Sequence, residues 1–556
     1  MCDDQVFREF LGSGVTMSVK KNMFKMSSSF VSLFVAMGLL SQQILAKTPA
    51  DTLVMAWNID GINTFDPAQL NDVYSNEIMM NICDSLVDSS PDDATKMLPS
   101  LAKNWDISGD ANTVITFHLR DDLKFFDGRP ARAHDLVWSM KRIVKLKMAG
   151  AAAFNEYGIT EQTVDDAIQK IDDTTIVMKF DKHYPGELIL SSIAASRAAM
   201  LLDRETIMKH EKDGDMGNKY LATHAACVGD YDLARWLPGE LILLRANSNY
   251  WGEAPKLKQI LIRHVPESET QRLLLQKGDV DVARNLTPEA SESLRKEGHA
   301  DVKKILQPAM FYWGLNMTNP IFANEKVRLA MRYLIDYDGL GETVLKDVGI
   351  PRSSFIPIGT LAALDEKEGN YFELNLEKAK QLLNEAGYPD GFEANFLTGN
   401  TAYSLLIAQS IQDNAAKVGV RIKIERIGGA QLFSKVASRS FDTVLLGWNS
   451  ESVDPHAMSS RVIYNPDNRF EAKNTAYPSW QHGYFDEEMN RKVEDALFEG
   501  DLEKRVQKYV DLQHEFMEKG PYVFIFQKYN IVATAPSIKK WFWNDMSRIY
   551  YNLIEK

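Results

Sequence analysis

Short apolar runs separated by longer stretches of helical spacing recur through most of the chain, the element order of an α/β protein. Thr52 to Trp57 reads as a strand, and Asp66-Pro67 beyond it as a helix start, with Asp66 as N-cap and Pro67 at the first helical position. Ile115, Phe117 and Leu119 alternate with Thr116, His118 and Arg120, as in a half-buried strand. Asp127-Gly128 then makes a turn, and Leu136, Met140, Ile143 and Val144 mark the apolar face of a helix. Thr175 to Phe180 and Val280 to Ala283 read as further strands. Ser268 and Gln271 form a capping-box pattern at the head of a helix that Gly278 closes. Thr287-Pro288 opens the next helix, which Gly298 ends, and Asn375 caps the helix that follows it to Ala386. Arg328 lies on a helix face between Val327 and the apolar Leu329, Ala330 and Leu334, the setting of a structural arginine.

The last third alternates regularly. Leu405 to Val418 reads as helix, Val420 to Ile424 as strand, Ala430 to Ala437 as helix and Phe441 to Leu446 as strand; Glu503 to Met517 is helical and Tyr522 to Gln527 a strand. This order suits a βαβ sheet with a ligand crevice at its strand ends. The stretch FDTVLLGWNSESVDP, Phe441 to Pro455, is the candidate working end. Gly447 is expected to end the strand where backbone must come close to something, and Trp448, Asn449 and Glu451 supply an aromatic face, an amide and a carboxylate just beyond. A core strand with a solvated acidic loop accounts for the same residues.

Composition narrows the class. With 556 residues, 45% hydrophobic and 25% charged, the chain is too long for one core, and two or three domains are expected. A net charge of −13 argues against nucleic acid as a partner. Residues 1–46 read as an address: Lys20, Lys21 and Lys25 precede the apolar segment Phe30 to Leu40, and Ile44-Leu45-Ala46 offers a small residue before a cut. That segment is too short to span a bilayer comfortably and no later one does so, which implies an exported protein that is not embedded in a membrane. Beyond the cut only Cys83 and Cys227 remain, to be read either as a bridge or as two separate buried thiols. Enzyme signatures are missing: there is no G-x-S-x-G elbow, H-E-x-x-H helix, P-loop or Cys/His ligand spacing, so no catalytic residue, cofactor or metal site is assigned.

The block WDISGDANTVITFHLRDDLKFFDGRPARAHDLVWSMKRI from Trp105 carries a long pattern: tryptophan, a polar turn, F-x-L-R, F-x-D-G-x-P and A-x-D-L-x-x-S-x-K-R. It resembles the signature of the family-five extracellular solute-binding proteins, the periplasmic receptors of peptide and nickel ABC transporters. Leu241 to Tyr250 with Trp251-Gly252, the run Phe311 to Asp336 and the EAGYPDG segment extend the resemblance over essentially the whole chain after the signal. One departure is Cys227-Val228-Gly229-Asp230-Tyr231, where the family usually has Gly-Thr-Gly-Pro-Tyr.

The resemblance implies a periplasmic-binding-protein type II fold with two main lobes, an extra domain and a hinge-closing cleft. It implies domain I from 47–90, 206–307 and 531–556, domain II from 91–205 and domain III from 308–530. The implied function is that of a monomeric periplasmic receptor, not an enzyme, that captures a peptide or peptide-like solute between lobes and delivers it to an inner-membrane ABC permease. A nickel chelate, haem, an opine or an oligosaccharide is the alternative cargo, and a secreted hydrolase the remote alternative. By the same resemblance an extended peptide pairs with backbone near Ile62 and Asn63 in the first lobe and with Gly447, Trp448, Asn449 and Ser450 in the third. Trp448, Trp480, Trp57 and Trp313 are expected to line side pockets. Glu451 stands three residues after the tryptophan, where peptide-binding relatives hold the ligand ammonium with an aspartate. Asp454, the rival carboxylate, reads as an N-cap before Pro455.

Overall fold

The computed structural model describes residues 48–556 except Asn71, Asp110, Ala111, Glu451, Asp545 and Ser547, with Ala430 described by its backbone alone. The export signal expected within residues 1–46 lies outside the described residues, as does Glu451.

Eleven strands form one long mixed sheet. Its order runs Arg421–Arg426, Glu393–Thr398, Thr443–Asn449, Asp301–Leu315, Tyr522–Thr534, Val282–Ala283, Thr52–Trp57, Gln259–His264, Leu241–Ala246 and Tyr231–Leu237, with Gly349–Pro351 also beside Tyr522–Thr534. Helices cover both faces of each half, so each half is a pair of apolar layers. Leu53, Met55, Ile260 and Ile262 fill one face of the first half, while Val54, Ala56 and Leu294 fill the other. In the second half, Trp313, Phe396 and Leu445 pack on one face and Met310, Tyr312, Val444 and Leu446 on the other. The half that ends in Tyr231–Leu237 is termed the first lobe and the half that ends in Arg421–Arg426 the third.

The middle lobe is separate from that sheet. Its four-stranded antiparallel sheet has the order Ala102–Ser108, Val114–Leu119, Thr175–Lys179, Ile168–Lys170. Val114–Leu119 alternates buried Ile115, Phe117 and Leu119 with half-buried neighbours, as the sequence pattern expects, and the helix Ala133–Leu146 buries Leu136, Met140, Ile143 and Val144 against it.

The first and third lobes share two strands. Asp301–Leu306 pairs with Tyr529–Thr534 in the first lobe, and Met310–Gly314 pairs with Tyr522–Gln527 in the third. Between these stretches the ladder is irregular, at Leu306/Met310 and again at Phe311/Tyr312, and an irregular ladder bends more readily than a regular one. Gln527, fully buried, spans this break: its Nε2 donates to Gln307 O at 2.8 Å and Ile358 O at 3.0 Å, while its Oε1 accepts from Ile358 N. The sequence pattern ended this strand at Gln527, whereas it runs on to Thr534 because its second half joins the other lobe.

Two helix starts differ from expectation. Asp66 opens a turn, not a helix; its carboxylate accepts Ala68 N but is mainly taken by Arg142 Nη1 and Nη2 at 2.7 and 2.6 Å, and the helix begins later, at Val73. The Ser268–Lys277 helix has no capping box, because Ser268 Oγ accepts Thr287 N and Gln271 Oε1 accepts Arg284 N and Asn285 N. Thr287 and Asn375 do cap their helices, accepting from Ala290 N and Lys378 N. Arg328 is structural: it donates to Lys519 O, Phe322 O and Ala323 O, tying its helix to the carbonyl end of Leu502–Lys519.

Cys83 and Cys227 form a disulfide, which resolves the alternative between bridge and free thiols. It fastens the helix Val73–Ile82 to the segment where the chain departs from the family pattern. Gly229 is required there, since a Cβ would lie 2.0 Å from Ile82 O.

Candidate functional site

Strand direction decides where the crevice lies. Tyr522–Thr534 runs from the third lobe to the first, and Thr443–Asn449 runs the same way, being antiparallel to Asp301–Leu315, which is antiparallel to Tyr522–Thr534. Thr52–Trp57 runs the opposite way, parallel to Val282–Ala283, which is antiparallel to Tyr522–Thr534. Asn449 and Trp57 therefore end strands that each point at the other lobe, and the chain leaving each strand enters the gap over the irregular middle of the two crossing strands. Ends of this kind are where ligands settle in α/β sheets.

The third-lobe end is built in detail. The strand does not stop at Gly447 but continues to Asn449. Gly447 is a close-approach glycine: it pairs with Phe311, and a Cβ would lie 2.8 Å from two atoms of that ring. Trp448 is half-buried against the core that holds Leu446, and Asn449 is exposed. Ser450 N donates to Pro308 O at 2.7 Å, which pins the loop to the crossing strand, and Ser450 Oγ donates to Ser452 O at 2.7 Å. Beyond Glu451, Ser452 Oγ donates to Ser191 Oγ of the middle lobe at 3.2 Å.

Asp454 is the loop's far anchor. Its Oδ1 accepts His456 N at 2.9 Å, but the helix starts at His456 with Pro455 as its N-cap, one residue later than expected, and both oxygens accept Arg505 at 2.6 and 2.8 Å. Burial works against the Arg505 charge, but the hydrogen bonds and charge of Asp454 outweigh it and hold the guanidinium above its ordinary value. With its charge paired to Arg505 and three hydrogen bonds already accepted, buried Asp454 is committed to the fold and not to a ligand cation. The local pattern placed the helix start one residue early and gave no sign of Arg505, 51 residues away.

On the first-lobe side, Asn63 is exposed in the loop after Thr52–Trp57, whereas Ile62 is buried and its N–H is taken by Ile59 O at 3.1 Å. Trp57 is buried beneath the Arg284 guanidinium, 4.5 Å from its ring, and Arg284 is held by Glu77 at 2.7 and 2.9 Å. The remaining two tryptophans are core residues, which corrects their placement as pocket walls. Trp313 stacks on Phe396 in the third lobe, each ring filling the space the sheet leaves under its helices. Trp480, 1% exposed, donates Nε1 to Arg469 O and lies under Arg439. Of the residues expected at the site, the structure thus brings Gly447, Trp448, Asn449 and Ser450 together on one strand end and sets Asn63 on the loop opposite.

Comparison with known proteins gives one consistent result. The family described as bacterial extracellular solute-binding proteins, family 5 Middle, matches residues 96–469. The probable D,D-dipeptide-binding periplasmic protein of Escherichia coli K12 is 25% identical over 511 residues, covering 91% of this chain and 94% of that protein. Among solved structures, a dipeptide-binding protein of Pseudoalteromonas sp. SM9913 in complex with Met-Leu superposes with a TM-score of 0.75 at 21% identity, over 91% of this chain and 100% of the other. The periplasmic binding protein of Helicobacter pylori in complex with the peptide STSA gives 0.73 at 23%, over 91% and 98%. These superpositions establish the type II periplasmic-binding fold, and the family is one of binding proteins. With more than half of its length matched, the chain belongs to the bacterial extracellular solute-binding proteins of family 5 and is a solute-binding receptor of the ABC-importer type.

Proposed function

We propose that this receptor works in the periplasm, capturing a short peptide between its first and third lobes and presenting it to an inner-membrane permease. The observation that carries the reading is the convergence of two strand ends on the crossing strands, with exposed Asn63 on one side and Gly447 to Ser450 on the other. Backbone offered from both lobes suits an extended peptide, which pairs main chain with main chain and asks little of side chains. The naming of the D,D-dipeptide relative and the Met-Leu complex support a small peptide as cargo. In this reading residues 1–46 are removed on export, and the receptor acts as a monomer.

Glu451 is the proposed anchor for the ligand's α-ammonium. Its support is its place in the sequence between Ser450 and Ser452, two residues whose hydrogen bonds fix the loop on either side, and the prior commitment of the rival Asp454 to Arg505. A thermal-shift screen over dipeptides, tripeptides, nickel chelates, haem and oligosaccharides tests the cargo. A hundredfold excess over Kd stabilises a receptor by about 2.7 kcal/mol. Calorimetry on Glu451→Gln with the stabilising peptide then tests the anchor. Closure over a buried ion pair predicts a loss of about 3–5 kcal/mol, hundreds- to thousands-fold in Kd, and a change under about threefold removes Glu451 from the site. Stabilisation by a non-peptide alone, or turnover of the stabilising compound, overturns the peptide-receptor reading.

A further inference from the structure

The middle lobe reaches the third lobe without using the crossing strands. Glu156, just after the helix Ala152–Asn155, accepts Arg461 Nη2 at 2.9 Å and lies 3.6 Å from His456 Nε2. Both partners belong to the helix His456–Val462, which starts two residues after Asp454. Around this contact, Ser191 accepts from Ser452, the Tyr184 ring sits 5.5 Å from Phe498, Lys182 Nζ lies 5.3 Å over the same ring, and Leu497 packs into the middle-lobe core. All these contacts join residues 152–191 to residues 452–498.

We propose that Glu156 is a positioning residue for ligand capture: by holding Arg461 it fixes the helix that carries the ligand loop and keeps the cleft shut. The inference rests on the cleft reading above, since a catch has a role only where lobes part. Three features support it. The middle lobe is fastened to the first, Asp66 of the first lobe being bonded to Arg142 of the middle lobe by two hydrogen bonds with neither side chain exposed. A joint between the middle and third lobes is therefore one that opening must break. The Glu156–Arg461 pair is suited to breaking, with side chains 23% and 22% exposed, so that water replaces each partner as the lobes separate. Arg461 also rests 5.3 Å over the Tyr477 ring of its own lobe, which keeps the guanidinium in place when Glu156 departs. His456 completes the surface without carrying the charge. Burial holds its imidazole below the ordinary value against the pull of Glu156 and Asp454, Tyr509 OH meets its Nδ1 at 3.1 Å, and 3.6 Å is too long for a hydrogen bond to Glu156.

The test measures lobe separation in the full receptor. Spin labels coupled through p-acetylphenylalanine at the exposed Ile171 of the middle lobe and Phe433 of the third leave the disulfide untouched. The expected result is that the ligand-free wild type populates a short distance, and that Glu156→Gln and Arg461→Gln each lower the ratio of short to long by about two- to fivefold. With alanyl-alanine as probe, both variants should release it about two- to fivefold faster at unchanged association rate. An unchanged distance ratio in both variants overturns the proposal. So does a wild type found wholly in the long-distance state, or a shift in one variant that the other does not reproduce. Failure of the wild type to bind alanyl-alanine or any other peptide counts against the peptide reading alone, because the ligand-free distances still report on the catch.

Discussion

The ion pair Asp66–Arg142, which joins the middle lobe to the first, and the pair Glu156–Arg461, which joins it to the third, are built to opposite specifications. Asp66 and Arg142 have no exposed side-chain surface; the guanidinium lies against both carboxylate oxygens, its Nε donates to Met216 O, and Asn218 Nδ2 adds a further bond to Asp66. Glu156 and Arg461 meet through one bond at a seam that water reaches. Removing one partner from a sealed pair strands a charge in apolar surroundings, whereas solvent takes over at a wet pair. One seam is thus permanent and the other reversible, and the same lobe carries both. Under the proposal above, that division makes a two-body receptor out of three lobes, with the first and middle moving together and the third closing on them.

The largest effect is expected from breaking the permanent seam. Asp66→Asn leaves Arg142 buried with a neutral partner, and should lower the free energy of the first unfolding transition in urea by about 3–5 kcal/mol. A loss under about 1 kcal/mol would show that the seam does not depend on this pair.

A second prediction concerns the acid side of the same seam. Asp84 N donates to Val228 O, its carboxylate accepts Trp251 Nε1 at 2.7 Å, and Trp251 lies beneath Arg120 of the middle lobe at 4.0 Å. Burial raises the Asp84 carboxyl to about 7, with the Trp251 bond opposing and Asp88 assisting, and buried Asp230 is shifted in the same direction. A carboxyl in the unfolded chain releases its proton near pH 4. Between about pH 4 and 7 Asp84 therefore keeps a proton in the folded state that the unfolded chain has released, and its contribution to stability falls as pH rises through that window, levelling once it has ionised. Buried His482, held down at about 4, and His456, held below its ordinary value by burial, contribute the opposite slope up to about pH 6.5, because the unfolded chain protonates there and they do not. The Asp84 contribution is therefore read as a difference between two proteins: on going from pH 5.5 to pH 8, Asp84→Asn should gain stability relative to the wild type by the equivalent of about 1–3 kcal/mol, seen in the melting temperatures. An identical pH response in the two proteins would place Asp84 in ordinary solvent.

What the sequence shows of this arrangement follows the reach of each interaction. Thr287 and Asn375 are legible as caps because their partners are three residues away, and Ile115, Phe117 and Leu119 because a strand's two faces are written in alternation. Asp66 has the local appearance of a cap and does accept Ala68 N, but the turn it opens does not grow into a helix and its carboxylate also serves Arg142, 76 positions on. Ser268 and Gln271 mislead for the same reason, both being claimed by residues 284–287. Trp313 and Trp480 share composition with Trp448, and only the sheet register and the fold around Arg439 distinguish core rings from one at a strand end. The candidate loop was legible because Gly447, Trp448 and the Asp454-Pro455 pair stand close together along the chain; Asn63 could be named only through the family resemblance, because its place opposite that loop follows from the antiparallel crossing of the strands, which no local pattern encodes.

The smallest expected effect gives the sharpest contrast. Glu156→Gln should leave the urea unfolding free energy within about 1 kcal/mol of the wild type, because the pair it breaks is a quarter exposed on each side and Arg461 keeps both water and the Tyr477 ring. The same substitution removes a formal charge from a lobe seam just as Asp66→Asn does, so the two variants differ in burial and not in chemistry. If reversibility comes from exposure, their stability losses should differ by at least threefold in kcal/mol while only Glu156→Gln changes the separation of the lobes. A loss near 3 kcal/mol for Glu156→Gln would mean that the middle and third lobes are permanently joined, and closure would then have to occur across the first lobe's contacts alone.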